Sequence, residues 1–255
     1  MTTQSILRLS LRCAAAGVGL ASAAYATYVG VTWFRYGHVP RPNPDEHDEL
    51  LDRFMSVCEV VERHHIHVAA PAAVTLAVAQ DIDLLKLPVV RAVFKGRELI
   101  LRAAPDNRPR RRGLLAEVQS LGWVVLAETP GQEIVVGAVT KPWEANVTFR
   151  PVPSEEFAAF NEPDYVKIVW TLRADATGAT SSIFRTETRA IATDPSARAK
   201  FRRYWSFLSP GIFLIRQMML GPVKAEAERR AHGSAQFTAS HGPPRQDGVE
   251  AIRAD

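Results

Sequence analysis

The run Asp194–Val223, DPSARAKFRRYWSFLSPGIFLIRQMMLGPV, decides the architecture. Phe201, Trp205, Leu208, Ile212, Ile215, Met219 and Val223 recur at i, i+4, i+7, i+11, i+14, i+18 and i+22, one apolar stripe along a long helix. Asp194 stands where a capping side chain belongs, and Pro195 takes the first helical position, where its missing N–H costs nothing. Ser209-Pro210-Gly211 is expected to kink this helix, and Gly221-Pro222 to disturb it again. A stripe of this length needs an apolar surface to lie on.

Upstream the period changes to two. Tyr165–Ala174 alternates Val166, Ile168, Trp170 and Leu172; after a loop over Asp175–Thr180, Ser181–Ala192 is rich in Thr and Ile. Together they predict a hairpin. Trp123–Glu128, the turn Thr129-Pro130-Gly131-Gln132 and Ile134–Val139 predict another. In Val57–Ala69, one face carries Cys58, Val60, Glu62, His64, Ile66 and Val68; the other carries Glu59, Val61, Arg63, His65 and His67. The apolar ends of the first set mark it as the buried face. Pro71 opens an Ala-rich helix, Pro88–Leu101 is a second helical stretch, Leu114–Leu121 reads as a short apolar turn, and residues 154–160 read as a short capped helix. This order predicts an α+β fold, a curved antiparallel sheet wrapped around the long C-terminal helix. The gap between them is a natural place for an apolar ligand. On the last strand, Phe184, Thr186, Thr188 and Ala190 alternate with Ile183, Arg185, Glu187, Arg189 and Ile191. The neutral set is assigned inward, because an unpaired buried charge costs several kcal/mol.

The ends of the chain read differently. Ala14–Phe34 holds 21 residues without a charge, enough helix to span the ~30 Å hydrocarbon core of a bilayer. A transmembrane helix is therefore predicted over residues 13–35 after a basic segment, 1–12; the alternative is a signal peptide cleaved near Ala24-Tyr25-Ala26. This places the chain in the cell membrane as a single-pass protein, with its main domain on the non-cytoplasmic side. Residues 36–55 read as a Pro-rich and acidic linker whose Val39–Pro44 spacer holds the domain off the bilayer. The folded domain is assigned to 56–231, and 232–255, without apolar period, to a disordered tail.

Composition excludes several classes. With 47% apolar residues in a 255-residue chain, the protein is neither disordered, collagen-like nor a multi-span membrane protein. Lys+Arg 31 against Asp+Glu 27 leaves a net charge of +4, scattered along the chain, so no nucleic acid is expected as a partner. Cys13 and Cys58 lack a CxxC neighbour, and only His65 and His67 of the histidine cluster share a strand face, so neither a redox motif nor a metal site is predicted.

The sequence resembles the helix-grip, START-like superfamily often labelled SRPBCC, which includes polyketide cyclases and lipid-transfer domains. The resemblance rests on Arg63-His64-His65-Ile66-His67-Val68-Ala69-Ala70-Pro71 leading into a helix, on Thr186-Glu187-Thr188-Arg189, on Phe201-Arg202-Arg203-Tyr204-Trp205, and on Pro210-Gly211-Ile212. It spans about residues 57–231 and looks like an anchor-bearing bacterial branch. The resemblance implies the fold and a hydrophobic small molecule or lipid as partner. Because the superfamily shares no catalytic motif, it carries over no catalytic residue and no cofactor.

Candidate residues follow from the faces. Trp123, Trp170, Phe184, Thr186, Thr188, Phe201, Trp205 and Met219 are the expected cavity walls. Glu62 and His64 share the inward face of the first strand. In an enzyme of cyclase or dehydratase type they would form an acid–base pair on a bound carbonyl compound; otherwise they make a structural hydrogen bond. Arg108, Arg110, Arg111 and Arg112 form a basic loop suited to anionic lipid head groups, at about 1 kcal/mol per basic residue near the surface. The leading expectation is a membrane-anchored binding or transfer module without covalent chemistry. The enzyme is the alternative, and a scaffold whose helix stripe binds a partner protein is the third reading.

Overall fold

The computed structural model describes residues 3–39, 44, 47–105 and 113–241, with side chains between 15 and 233. Strands β1 (Val60–Val68), β2 (Val124–Thr129), β3 (Glu133–Thr140), β4 (Phe149–Arg150), β5 (Val166–Gly178) and β6 (Ser181–Ala192) form one sheet. Every pairing is antiparallel, in the order β1-β6-β5-β3-β2, with β4 beside β3. Both hairpins form where the period-two runs predict them. The first strand closes the sheet against the last.

Helix α7 (Pro195–His241) crosses the inner face of the sheet. Asp194 Oδ1 accepts from the backbone N–H of Ser196 and Ala197 at 2.7 and 3.1 Å, satisfying donors that the first turn leaves open. The helix passes through Pro210 and Pro222 as one element. It also passes the boundary expected at residue 232, because the chain offers no proline stop between Pro222 and Pro243. Residues 242–255 lie outside the described residues.

Two apolar clusters fill the space between sheet and helices. In the first, Val68, Val136, Trp170, Leu172 and Phe184 pack on Leu76 and Val78 of α3 (Ala72–Asp81) and on Met219, Val223 and Ala227 of α7. In the second, Val60, Val166 and Ala190 pack on Tyr36, Phe201 and Trp205. Helix α4 (Pro88–Leu101) crosses α7 at Gly211, where a Cβ would lie 2.8 Å from Val93 Cγ1. The predicted turn over 114–121 is a helix, α5 (Leu114–Ser120).

The outer face is covered as well, which corrects the linker reading of residues 36–55. Helices α2 (Glu49–Met55) and α6 (Ser154–Phe157) lie on it, burying Leu51, Phe54, Met55 and Phe157 against Leu126, Val135, Val139 and Val169. Gly137 makes room for this: a Cβ there would meet Leu126 Cδ1 at 2.5 Å and Phe157 Cε2 at 2.9 Å. Asp48 starts α2 by accepting the Leu51 N–H at 2.8 Å, and Leu51, Phe54 and Met55 fall at i, i+3 and i+4.

The neutral set of β6 does face inward, yet the charged set is buried too. Glu187 is 6% exposed and Arg189 4%. Each charge there is matched. Arg63 donates to Glu187 through two nitrogens at 2.9 and 3.1 Å, Arg189 Nε donates to Glu187 at 2.7 Å, and Arg189 Nη1 reaches Asp52 and the Met55 carbonyl. Asp175 bridges Arg173 and Arg185, at 2.7 Å to each.

The N-terminal segment is one helix, α1 (Thr3–Arg35), and its last turns lie against α7. Tyr25 donates to the Phe207 carbonyl at 2.6 Å, the Tyr28 and Ser209 hydroxyls meet at 3.0 Å, and Arg202 donates to the Trp33 carbonyl while its guanidinium covers the Trp33 ring. Tyr36 donates to Glu59 at 2.6 Å, and Glu59 also pairs with Arg198 at 3.0 Å. The helix therefore docks on the domain instead of being held away by a spacer. Among the described residues no helix is long and apolar enough to cross a membrane; Gly17, Gly19, Ser22, Thr27, Gly30 and Thr32 dilute the uncharged run.

Candidate functional site

The middle of the inner face is polar. From β1, Glu62 and His64 project towards α7; directly across the seam on β6 stand Thr188 and Thr186. Thr188 also lies opposite Trp170 of β5. From the helix side, Phe213 meets the His64 ring and Arg216 the Trp170 ring. This patch separates the two apolar clusters.

Three of its atoms, His64 Nε2, Thr186 Oγ1 and Thr188 Oγ1, are buried and have no hydrogen-bond partner among the described residues. Leaving one buried polar group unsatisfied costs about 1–3 kcal/mol, so three on one face call for a polar partner. The His64 ring meets the Phe213 ring edge-on at 5.0 Å. Burial pushes the His64 imidazole below its ordinary range, and the Arg216 charge adds to this, while a side-chain hydrogen bond with Gln217 opposes it. Burial alone pushes the Glu62 carboxyl up. The Arg216 guanidinium sits 4.7 Å from the centre of the Trp170 ring, and burial lowers it to about 10. Glu62, Ile66, Ile168, Ile212 and Ile215 are only half-buried. These half-buried residues lie where the patch reaches the margin between edge strand β1 and α7.

The predicted wall residues divide. Trp170, Phe184 and Met219 belong to the first cluster, with Trp123 beside Trp170 at 6.2 Å, while Phe201 and Trp205 belong to the second. Thr186 and Thr188 alone of that set join Glu62 and His64. Arg108, Arg110, Arg111 and Arg112 lie outside the described residues. Arg216 escaped the sequence reading because the stripe was read through its apolar members. The available signal was its spacing, four residues after Ile212 and three before Met219, which places a cation on the sheet-facing side.

A polar recess lies on the outer face, and His64 and Thr186 also contribute to its lining. Asp48, Arg63, His65, Thr171, Arg173 and Arg185 line a space of about 20 Å³, room for about one water. Asp48 of this recess also meets the carboxyl of Glu133. Glu133, 5% exposed, is pushed up to about 8 by burial and by the hydrogen bond that its protonated carboxyl donates to Asp48, against the opposing pull of Arg173. A carboxyl raised in the fold adds stability in full below its ordinary value of 4.5, and that contribution fades as pH climbs towards 8. Glu133→Gln, neutral throughout, should match the parent melting temperature at about pH 5 and exceed it by on the order of 5 °C at about pH 9. Thermal melts at the two pH values check this; an equal offset at both would show that the carboxyl ionises normally.

This combination defines an α+β protein in which an antiparallel sheet is laid against one long helix, with a polar patch set between them. No family model matches the chain, and no curated protein matches it. Among solved structures it is similar to the Zhui aromatase/cyclase from Streptomyces sp. R1128, with 16% identity and a TM-score of 0.24 over 67% of this chain and 94% of that one. It is also similar to the di-domain ARO/CYC BexL from the BE-7585A biosynthetic pathway, at 15% identity and a TM-score of 0.24, covering 66% of this chain and 46% of that one. DR_A0006 from Deinococcus radiodurans matches at 17% identity and a TM-score of 0.25, covering 59% and 99%. Likeness at this level carries no statement about activity, and the fold stands on its own strand order and registers.

Proposed function

We propose that the chain is a binding module of the helix-grip, START-like kind, holding a small hydrophobic molecule with a polar group between the sheet and α7. One observation carries this reading: His64 Nε2, Thr186 Oγ1 and Thr188 Oγ1 are buried in one patch without partners among the described residues. A ligand that supplies the missing hydrogen bonds recovers their cost on binding, and the half-buried Ile66, Ile168, Ile212 and Ile215 give its apolar body a wall.

The test uses the full chain and the double variant Thr186→Val, Thr188→Val. Valine keeps the shape and removes two unsatisfied hydroxyls, so the ligand-free variant should gain about 1–3 kcal/mol for each. Mass spectrometry of small molecules extracted from the purified parent should recover a stoichiometric apolar compound that the variant no longer retains. A variant that is destabilised, together with a parent that retains nothing, sinks the reading.

A second reading is favoured by the opposed shifts of Glu62, pushed up, and His64, pushed down. These bring a carboxyl and an imidazole closer in proton affinity on one strand face, as an acid–base pair of a cyclase or dehydratase would need. Chemical conversion of the recovered compound on incubation with the protein distinguishes this reading from binding alone.

A further inference from the structure

Arginines on the two faces of the sheet are treated differently. On the outer face, Arg63 and Arg189 are paired with Glu187, Arg189 also with Asp52, and Arg173 and Arg185 with Asp175. Arg216, on the inner side, has no carboxylate partner among the described residues; its guanidinium lies over the ring of Trp170 at 4.7 Å. Of the other titratable groups described on this patch, His64 feels the Arg216 charge, and Glu62 is pushed up by burial. Arg216 is half-buried and has no counter-ion among the described residues, and its guanidinium fork suits a carboxylate. Thr188, beside Trp170 on the next strand, adds a free hydroxyl within the same patch. One fixed positive charge matches one negative charge; a phosphate dianion would leave a charge unmatched.

We propose that Arg216 is the anion-recognition residue of this patch, and that its ligand is an amphiphile with a single carboxylate head. The head pairs with the guanidinium and Thr188, and the apolar body lies along Ile66, Ile212 and Ile215. This rests on the binding reading above and names its ligand class. Arg216 is a binding residue here, with no part in bond making.

Titration of the full chain with cis-parinaric acid and with its methyl ester, followed by fluorescence, tests the proposal. The parent should bind the acid at least ten times more tightly than the ester. Arg216→Gln should lose that preference, weakening acid binding at least tenfold while leaving ester binding unchanged. Retained ester binding also shows that the variant is folded. Equal affinity of the parent for acid and ester, or unchanged acid binding by Arg216→Gln, overturns the carboxylate assignment and leaves the binding module standing. Failure of the parent to bind either probe overturns both.

Discussion

Arg189→Ala should cost the fold about 3 kcal/mol, near the lower end of the range for breaking a buried ion pair. Arg189 is 4% exposed and ties three elements: Glu187 on its own strand, Asp52 in α2 and the Met55 carbonyl at the end of α2. Removing it leaves Asp52 and the Met55 carbonyl short of a donor under a covering helix. The cost stays moderate because Arg63 keeps both oxygens of Glu187. Arg229, paired with Glu226 on the exposed side of α7 and 71% exposed at its side chain, provides the contrast. Arg229→Ala should change stability by less than about 0.5 kcal/mol. Urea unfolding with an unchanged slope reads both values. An Arg189→Ala cost below that of Arg229→Ala would mean that α2 does not seal the outer face.

Phe201→Ala should be more damaging, at about 3–5 kcal/mol, as for other large-to-small changes in a packed core. Phe201 is 1% exposed and is surrounded by rings: Tyr36 at 5.9 Å edge-on, Trp205 at 5.9 Å and Tyr204 at 6.2 Å. It joins the start of α7 to the end of α1 and to Val60 on β1, so its loss opens a cavity shared by three elements. Limited proteolysis should then cleave around residues 36–47 faster than in the parent, and chemical unfolding should show the drop in stability. A cost under about 1 kcal/mol would show that the surrounding rings collapse into the space.

The fold was legible where periodicity was long. Seven stripe residues fixed α7 and its inward face, and alternation in Val60–Val68 and Val166–Ala192 fixed three strands with their correct faces. Short elements were harder. In α2, Leu51, Phe54 and Met55 give only one turn of apolar pattern after an acidic run, which suits a linker equally well; only the partners Leu126 and Val169, far along the chain, distinguish the two. The buried charge on β6 was hidden for the same reason, since Arg189 needs Asp52 and Arg63 needs Glu187 across long stretches of sequence. At the candidate site, Glu62 and His64 could be placed on one face from spacing alone. Their Thr186 and Thr188 neighbours depended on the β1–β6 register, which no local signal sets.

The seam between β1 and β6 also governs how the protein is made. Val60 pairs with Ala190 and Val68 with Ser182, so the earliest strand to emerge from the ribosome must wait for the latest. Until then its backbone donors and acceptors are open to any other extended polypeptide. Messages truncated before Ala192 would release fragments with that strand unprotected, and their fate would be clumping and degradation.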